Sequence, residues 1–248
     1  MTGDVMALPP ERLYKAHVEN LRAVEVGISQ IDRELRAALS RKDAPASSAL
    51  LKILLLLLGS SAECRLRKLL YEPGGFDNSQ RDQVMGCRSQ FESWICATEL
   101  GFRRRYGIRR ADLRSALPGT ARLRLDEIID VLDTELRPII EMRNTLAHGQ
   151  WARPLNASQN GIVGTMLAAM NAENALSARF KSTIIATVAT IVQDLVSGNA
   201  AFERDFDRHY ERLKNARRNL LNRSFTAWEN SMIEKYERGR RRVVGTRD

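Results

Sequence analysis

Apolar residues recur at helical spacing along most of the chain. Leu13, Val18, Leu21, Val24, Ile28, Ile31, Leu35 and Leu39 predict one long amphipathic helix over Glu11 to Ser40, entered after Pro9-Pro10. "KDAPASS" breaks the period, and Ser47 or Ser48 is the expected cap of a second helix running to about Tyr71, stopped by "EPGG". That helix holds the densest apolar run, "ILLLLL" (Ile53 to Leu58). The run is too short to span a bilayer, so it predicts a deeply buried segment. A third helix opens at Asn78 or Ser79, carries Met85, Phe91, Trp94, Ile95 and Leu100, and ends near "RRRYG". A short helical turn fills Ala111 to Ala116 before "PGT". Leu123 to Leu136 reads as helix with Ile128, Ile129, Leu132 and Leu136 inward, and Asp126, Glu127, Asp130, Asp133 and Glu135 mostly outward. Pro138 either kinks this helix or begins the next at a first-turn position. The next helix is expected to end at His148, because Gly149 suits a C-terminal cap. "QWARPLNASQNGIVG" lacks helical periodicity and fits a loop or small hairpin. Two more helices follow, about Ala172 to Val196 and Phe202 to Arg240, with "SGN" between them. There is no internal repeat and no run of alternating strands, so the predicted class is all-α.

Composition narrows the setting. A chain of 248 residues is one large domain, or one domain with an extension, and can bury a substantial core. Cys64, Cys87 and Cys96 form no CxxC pair, which suggests buried free thiols in a reducing cytosol. "MTGDVMALPPER" has neither a basic start nor a long apolar segment, so no signal peptide and no membrane association are expected, and the location is read as cytoplasmic. A net charge of +9 biases the chain towards polyanions. The basic residues are mostly Arg, which also tracks genomic base composition, so this charge permits nucleic-acid binding without requiring it.

The candidate chemistry begins with the histidines. The chain has three, and each follows an Arg by five positions: Arg12/His17, Arg143/His148 and Arg204/His209. Chance predicts roughly 0.4 such pairs, but only about 0.02 once Asn must follow the Arg directly. Only "RNTLAH" passes. Arg12/His17 and Arg204/His209 lie on polar stretches of long helices and read as solvated surface. His148 instead falls in a last helical turn, beside Gly149 and Trp151, where the helix dipole favours a cationic imidazole. At about 100° per residue, Asn144 and His148 share a face and Arg143 stands on the flank. In that cluster Arg can hold a phosphate, His can move a ribose proton, and Asn can orient the imidazole or bond the substrate. The competing structural reading is a helix end capped by its own His, with Arg143 paired to Glu141 or Asp130. Glu63 is a further candidate partner for Arg143, indistinguishable at this level from Glu72 or Glu92. No His/Cys/Asp cluster has metal-ligand spacing, so neither metal nor cofactor is expected; "DFD" (Asp205 to Asp207) and the Asp126 to Asp133 face read as solvated.

"RNTLAH", followed by "GQW" on a helix in an all-helical chain, resembles the signature of the HEPN superfamily of ribonucleases. That signature is Arg, four to six residues, then His, commonly with a polar residue directly after the Arg. The resemblance implies a HEPN-like helical bundle over residues 1–152, with additional C-terminal helices over 153–248 that pack on the core or on a dimer and end in a basic tail from Arg238. It implies Arg143 and His148 as the catalytic pair, Asn144 as the accessory residue, and metal-independent cleavage of RNA by attack of the ribose 2′-hydroxyl. Internal transesterification benefits from both a base and an acid, and one protomer offers one credible histidine. A homodimer with a composite site meets that need. In related toxins a tyrosine two residues after the His is adenylylated; here that position is Gln150, which argues against that control. With no ligand-sensing domain recognisable, the expected setting is a free-standing antiphage-defence or toxin–antitoxin nuclease, with an antitoxin or defence-system partner. Arg103, Arg104, Arg105, Arg109 and Arg110, interleaved with Phe102 and Tyr106, are candidate RNA contacts, as is Trp151; a solvated basic helix end and a Trp packed on its own domain are the plainer readings. The alternative function is a catalytically silent HEPN-type module that binds RNA or protein.

Overall fold

In the computed structural model, which describes residues 8–198 and 200–244, the predicted helical class is realised throughout. α1 (Pro10–Ser40) and α2 (Ala44–Leu70) form a hairpin. Lys42 turns the chain with a φ of 57°, while the Asp43 amide donates back to the Ala38 carbonyl. The side chain of Asp43 caps α2 by accepting from the Ala46 amide, and Pro45 occupies its first turn. The cap is therefore not Ser47 or Ser48: proline's fixed φ and missing N–H suit a helix start, so the helix begins before the serines. In the leucine run, Leu54, Leu55 and Leu58 are buried, and Ile53, Leu56 and Leu57 are half-buried.

The predicted third helix is two: α3 (Asn78–Met85), capped by Asp77, and α4 (Gln90–Arg105), capped by Ser89. The elbow between them is pinned by the Ser93 hydroxyl, which donates to the Val84 carbonyl at 3.1 Å. After the short α5 (Leu113–Ala116) comes α6 (Gly119–Val131), then a π-helical turn over Leu132–Leu136, then α7 (Arg137–Ala147). Pro138 thus both follows a distortion and sits in a first turn. In an α-helix its missing N–H would leave an i→i−4 bond unmade; the wider turn, closed by the Arg137 amide on the Leu132 carbonyl, carries the axis past that gap.

Gln150 to Val163 is a loop with one antiparallel bridge, Leu155 to Ile162. α8 (Gly164–Ala172) leads to α9 (Ala175–Ser197), which starts on an Asn174/Ser177 capping box. α9 packs against α2, α4 and the π turn, and one apolar cluster joins its Ile184, Val188 and Val192 to Leu58, Trp94 and Leu136. The C-terminal helices therefore share the core of the preceding ones. The long final helix predicted from Phe202 divides into α10 (Ala201–Asn222) and α11 (Phe225–Val244) at Arg223-Ser224. Of the basic tail expected from Arg238, the part up to Val244 continues α11, and residues 245–248 lie outside the described residues. α2 and α9 are each long and apolar enough to cross a membrane by length and composition alone.

Two expectations about polarity change. The acidic face of α6 and the π turn is not simply solvated, because α10 docks on it. Arg217 meets Asp130 at 2.9 Å and Glu135 at 3.0 Å, and the Tyr210 hydroxyl bonds Glu127. Asp205 is mostly covered and ion-paired to Arg204 and Arg208. The three thiols are free but half-buried rather than buried. Burial, together with the neighbouring Cys87 thiol, pushes Cys96 up to about 12.

Candidate functional site

The C-terminal turn of α7 is built as its sequence predicts. His148 is the C-cap residue, and Gly149 has a φ of +76°, which costs a side-chain-bearing residue energy and glycine little. The Gly149 amide donates to the Leu146 carbonyl and the Gln150 amide to the Thr145 carbonyl, the paired bonds of a Schellman cap. The Trp151 indole N–H also donates to the Leu146 carbonyl at 2.9 Å, bracing the turn from outside. His148 is exposed, and among the described residues its imidazole has no hydrogen-bond or ion-pair partner. Its backbone is fixed while its ring faces water.

Arg143, five residues earlier, points the other way. Its Nη2 meets Glu63 Oε2 at 2.6 Å and its Nη1 donates to Asn144 Oδ1 at 3.0 Å. Neither Glu141 nor Asp130 is the partner. Asp130 serves Arg217, Glu72 is bonded by Lys68 and Tyr14, and Glu92 accepts from the Arg88 amide. Glu63 reaches Arg143 because α2 and α7 touch at Gly59. A Cβ placed there would overlap the Cβ of Arg143 and lie 2.7 Å from its Cγ. Asn144 is thus occupied with Arg143 rather than with His148, although it lies on the His148 face.

These groups border a cleft of about 340 Å³ between α2, the α3–α4 elbow and α7. Arg67, Arg88 and Arg143 face it, against the single carboxylate of Glu63, with the hydroxyls of Ser89 and Ser93 on the elbow side. Two buried donors there lack partners, Arg143 Nε and Gln90 Nε2. Both atoms are covered by their surroundings, so what the cleft presents to a ligand is its excess of guanidinium charge. An anion with several oxygens complements that excess. Arg67, Arg88 and Gln90 were not singled out in the sequence, and no local signal marks them: their convergence depends on the elbow at Gly86–Ser89.

The remaining candidates lie elsewhere. His148 does not line the cleft, being about 7.5 Å further along the α7 axis. Arg103, Arg104 and Arg105 sit at the C-terminal end of α4, about 22 Å from the Gln90 end that borders the cleft. They are engaged within the fold. Arg103 donates to the Ala111 carbonyl, Arg104 to the Gly74 and Gly75 carbonyls, and Arg105 pairs with Glu203 while covering the Phe202 ring. Of these five, Arg109 and Arg110, on the following turn, are exposed and make no such contacts with the described residues. Trp151 is half-buried and packs against the core. His17 and His209 are not on solvated surfaces as expected: His17 stacks on Tyr71 at 5.2 Å, and His209 lies 3.6 Å from Asp194 with its side chain 16% exposed. Among the described residues no group of three or more His, Cys, Asp or Glu side chains is placed to hold a metal ion.

Comparison of this chain with family models, with curated proteins and with solved structures finds no match.

Proposed function

We propose that the chain is a HEPN-like endoribonuclease, acting as a homodimer in which the α7 turn of each copy contributes to one site. The observation that carries this reading is the cleft at Arg143, lined by this guanidinium, held by Glu63, and by two further arginines. Three guanidinium groups against one carboxylate suit a phosphate. Arg143 neutralises the phosphate as charge builds on it. The imidazole takes the proton of the 2′-hydroxyl as that oxygen attacks the adjacent phosphorus, and the departing 5′-oxygen takes a proton from solvent. The products are a 2′,3′-cyclic phosphate and a 5′-hydroxyl. His148 is open to solvent and outside its own chain's cleft, so this reading draws the imidazole from the second copy. A defence or toxin–antitoxin setting, with a partner that restrains the enzyme, accompanies the reading.

The test is RNA incubated with excess EDTA, since no step above is assigned to a metal ion. Wild-type protein is expected to leave cyclic phosphate ends, and Arg143→Ala and His148→Ala are each expected to lose cleavage by about 100-fold or more. Folded His17→Ala and His209→Ala stay active; loss of activity in either overturns the assignment. A second reading, a silent module that binds RNA, is favoured by the displacement of His148 from the Arg143 cleft. Binding without cleavage identifies it.

A further inference from the structure

A second cavity lies on the opposite side of α2 from the Arg143 cleft. It measures about 490 Å³ and is walled by α1, α2, α9 and α11, within the size range of small-ligand sites. Its floor is apolar, with Leu54, Leu58 and Ala178, and its sides are polar. Two ion pairs stand inside: Arg65 with Glu25 at 2.6 Å, and Arg36 with Asp32 at 2.6 Å. The interior is therefore close to neutral, yet rich in hydrogen-bonding capacity. Arg65 Nε is buried and has no partner, and each carboxylate keeps lone pairs beyond those its arginine uses. A flat, neutral, polar ring system suits such a chamber, taking apolar contact from the floor and hydrogen bonds at its edges.

The mouth has different chemistry. Trp228, its ring set against Phe225, separates this cavity from a neighbouring hollow of about 350 Å³, and both are bordered by Arg179 and Thr183. The hollow adds Arg212 and Arg223. All three of these arginines are exposed, and among the described residues none makes an ion pair. Three unpaired guanidinium groups on a rim with no carboxylate of their own suit a chain of phosphates.

We infer that this cavity binds a nucleoside triphosphate, with its base inside between the leucine floor and Trp228 and its phosphates across Arg179, Arg212 and Arg223. The site is separate from the Arg143 cleft and does not depend on the nuclease reading. Calorimetric titration of the full chain with ATP and GTP tests it, with tripolyphosphate, the free nucleosides and a single-stranded oligonucleotide as comparisons. At least one triphosphate should bind more tightly than tripolyphosphate or its own nucleoside. Arg179→Glu with Arg212→Glu, both on the surface, should weaken it by about tenfold or more. Ser182→Phe, which fills the chamber, should remove nucleotide binding but leave tripolyphosphate unchanged. Arg143→Ala should bind nucleotide as the wild type does. The inference is overturned if neither triphosphate binds, if tripolyphosphate binds as tightly, or if only the oligonucleotide binds. It is equally overturned if the double Glu variant, folded by circular dichroism, binds as well as wild type.

Discussion

In α10, Arg204 lies out on the surface with its side chain 70% exposed, while His209 turns inward to Asp194. The Arg12/His17 pair is arranged likewise, with Arg12 exposed and His17 stacked on Tyr71. At the end of α7 the order is reversed. Arg143 is drawn in, 28% exposed and held by Glu63, while His148 stands in solvent on a braced turn. One sequence template thus gives two arrangements. A half-buried histidine with its own partners contributes to packing; a fixed arginine with spare donors and an exposed histidine with no hydrogen-bond partner are equipped for a ligand. The pattern carries little information until the direction of each side chain is known.

The largest effect should come from separating the two groups between chains. If each site takes Arg143 from one copy and His148 from the other, mixing Arg143→Ala with His148→Ala protein and allowing subunit exchange restores some intact sites. Statistical pairing gives about a quarter of wild-type cleavage, from two variants that are each about 100-fold down or more. No recovery above either variant, with exchange shown by mass or fluorescence, means that the pair acts within one chain or not at all.

Next in size is Gly59→Ala. The added methyl group has no space between α2 and Arg143, so either the helices part or Arg143 shifts. Overpacking of this kind destabilises by about 1–3 kcal/mol. Urea unfolding should show that loss, and RNA cleavage should fall with it. The same substitution at Gly119, where a Cβ meets nothing within 4 Å, is the control. Equal effects at the two glycines would remove the close approach of α2 and α7 from the explanation of the site.

A smaller change is expected from Glu63→Gln. The amide keeps the shape of the side chain and one acceptor oxygen but removes the charge that fixes Arg143. Both groups are about a third exposed, so the stability cost is slight. The expected consequence is positional, a decrease of about tenfold in cleavage, with binding of RNA retained. Cleavage at the wild-type rate would show that Arg143 needs no tether.

Much of this was legible in the sequence. The all-α class followed from the 3.6-residue period, and the end of α7 followed from Gly149, because a left-handed C-cap is a local property of one residue. Other features were not legible, for equally physical reasons. Gly86 ends α3 in an ordinary right-handed conformation, φ −77°, so its glycine carries no turn signature. The break at Arg223-Ser224 involves neither glycine nor proline. The arginines of α4 resembled an RNA-binding surface because their acceptors, carbonyls of Gly74, Gly75 and Ala111 and the carboxylate of Glu203, lie up to 98 residues away along the chain. Glu63 could not be chosen over Glu72 or Glu92 because the choice depends on helix register, which only the contact at Gly59 fixes. Local chemistry reads from sequence; a side chain's partner does not.

The smallest effect probes the inward histidine itself. Burial, and then the nearby Arg67 cation, hold His17 below its ordinary value of 6.5. In the unfolded chain the same imidazole titrates near 6.5. As the pH falls through that value, the unfolded state takes up a proton that the folded state refuses, so this residue's contribution to stability declines until the folded value is reached and is constant below it. Above 6.5 the two states bind the same number of protons and the contribution is flat. Urea unfolding at pH 7.5 and pH 5.5 should therefore show a smaller loss of stability for His17→Gln than for wild type, with every other titration common to both. Identical losses would mean that His17 is free to charge in the folded protein. Its inward arrangement would then differ from that of His148 in appearance only, and the contrast between the two templates would have to rest on Arg143 alone.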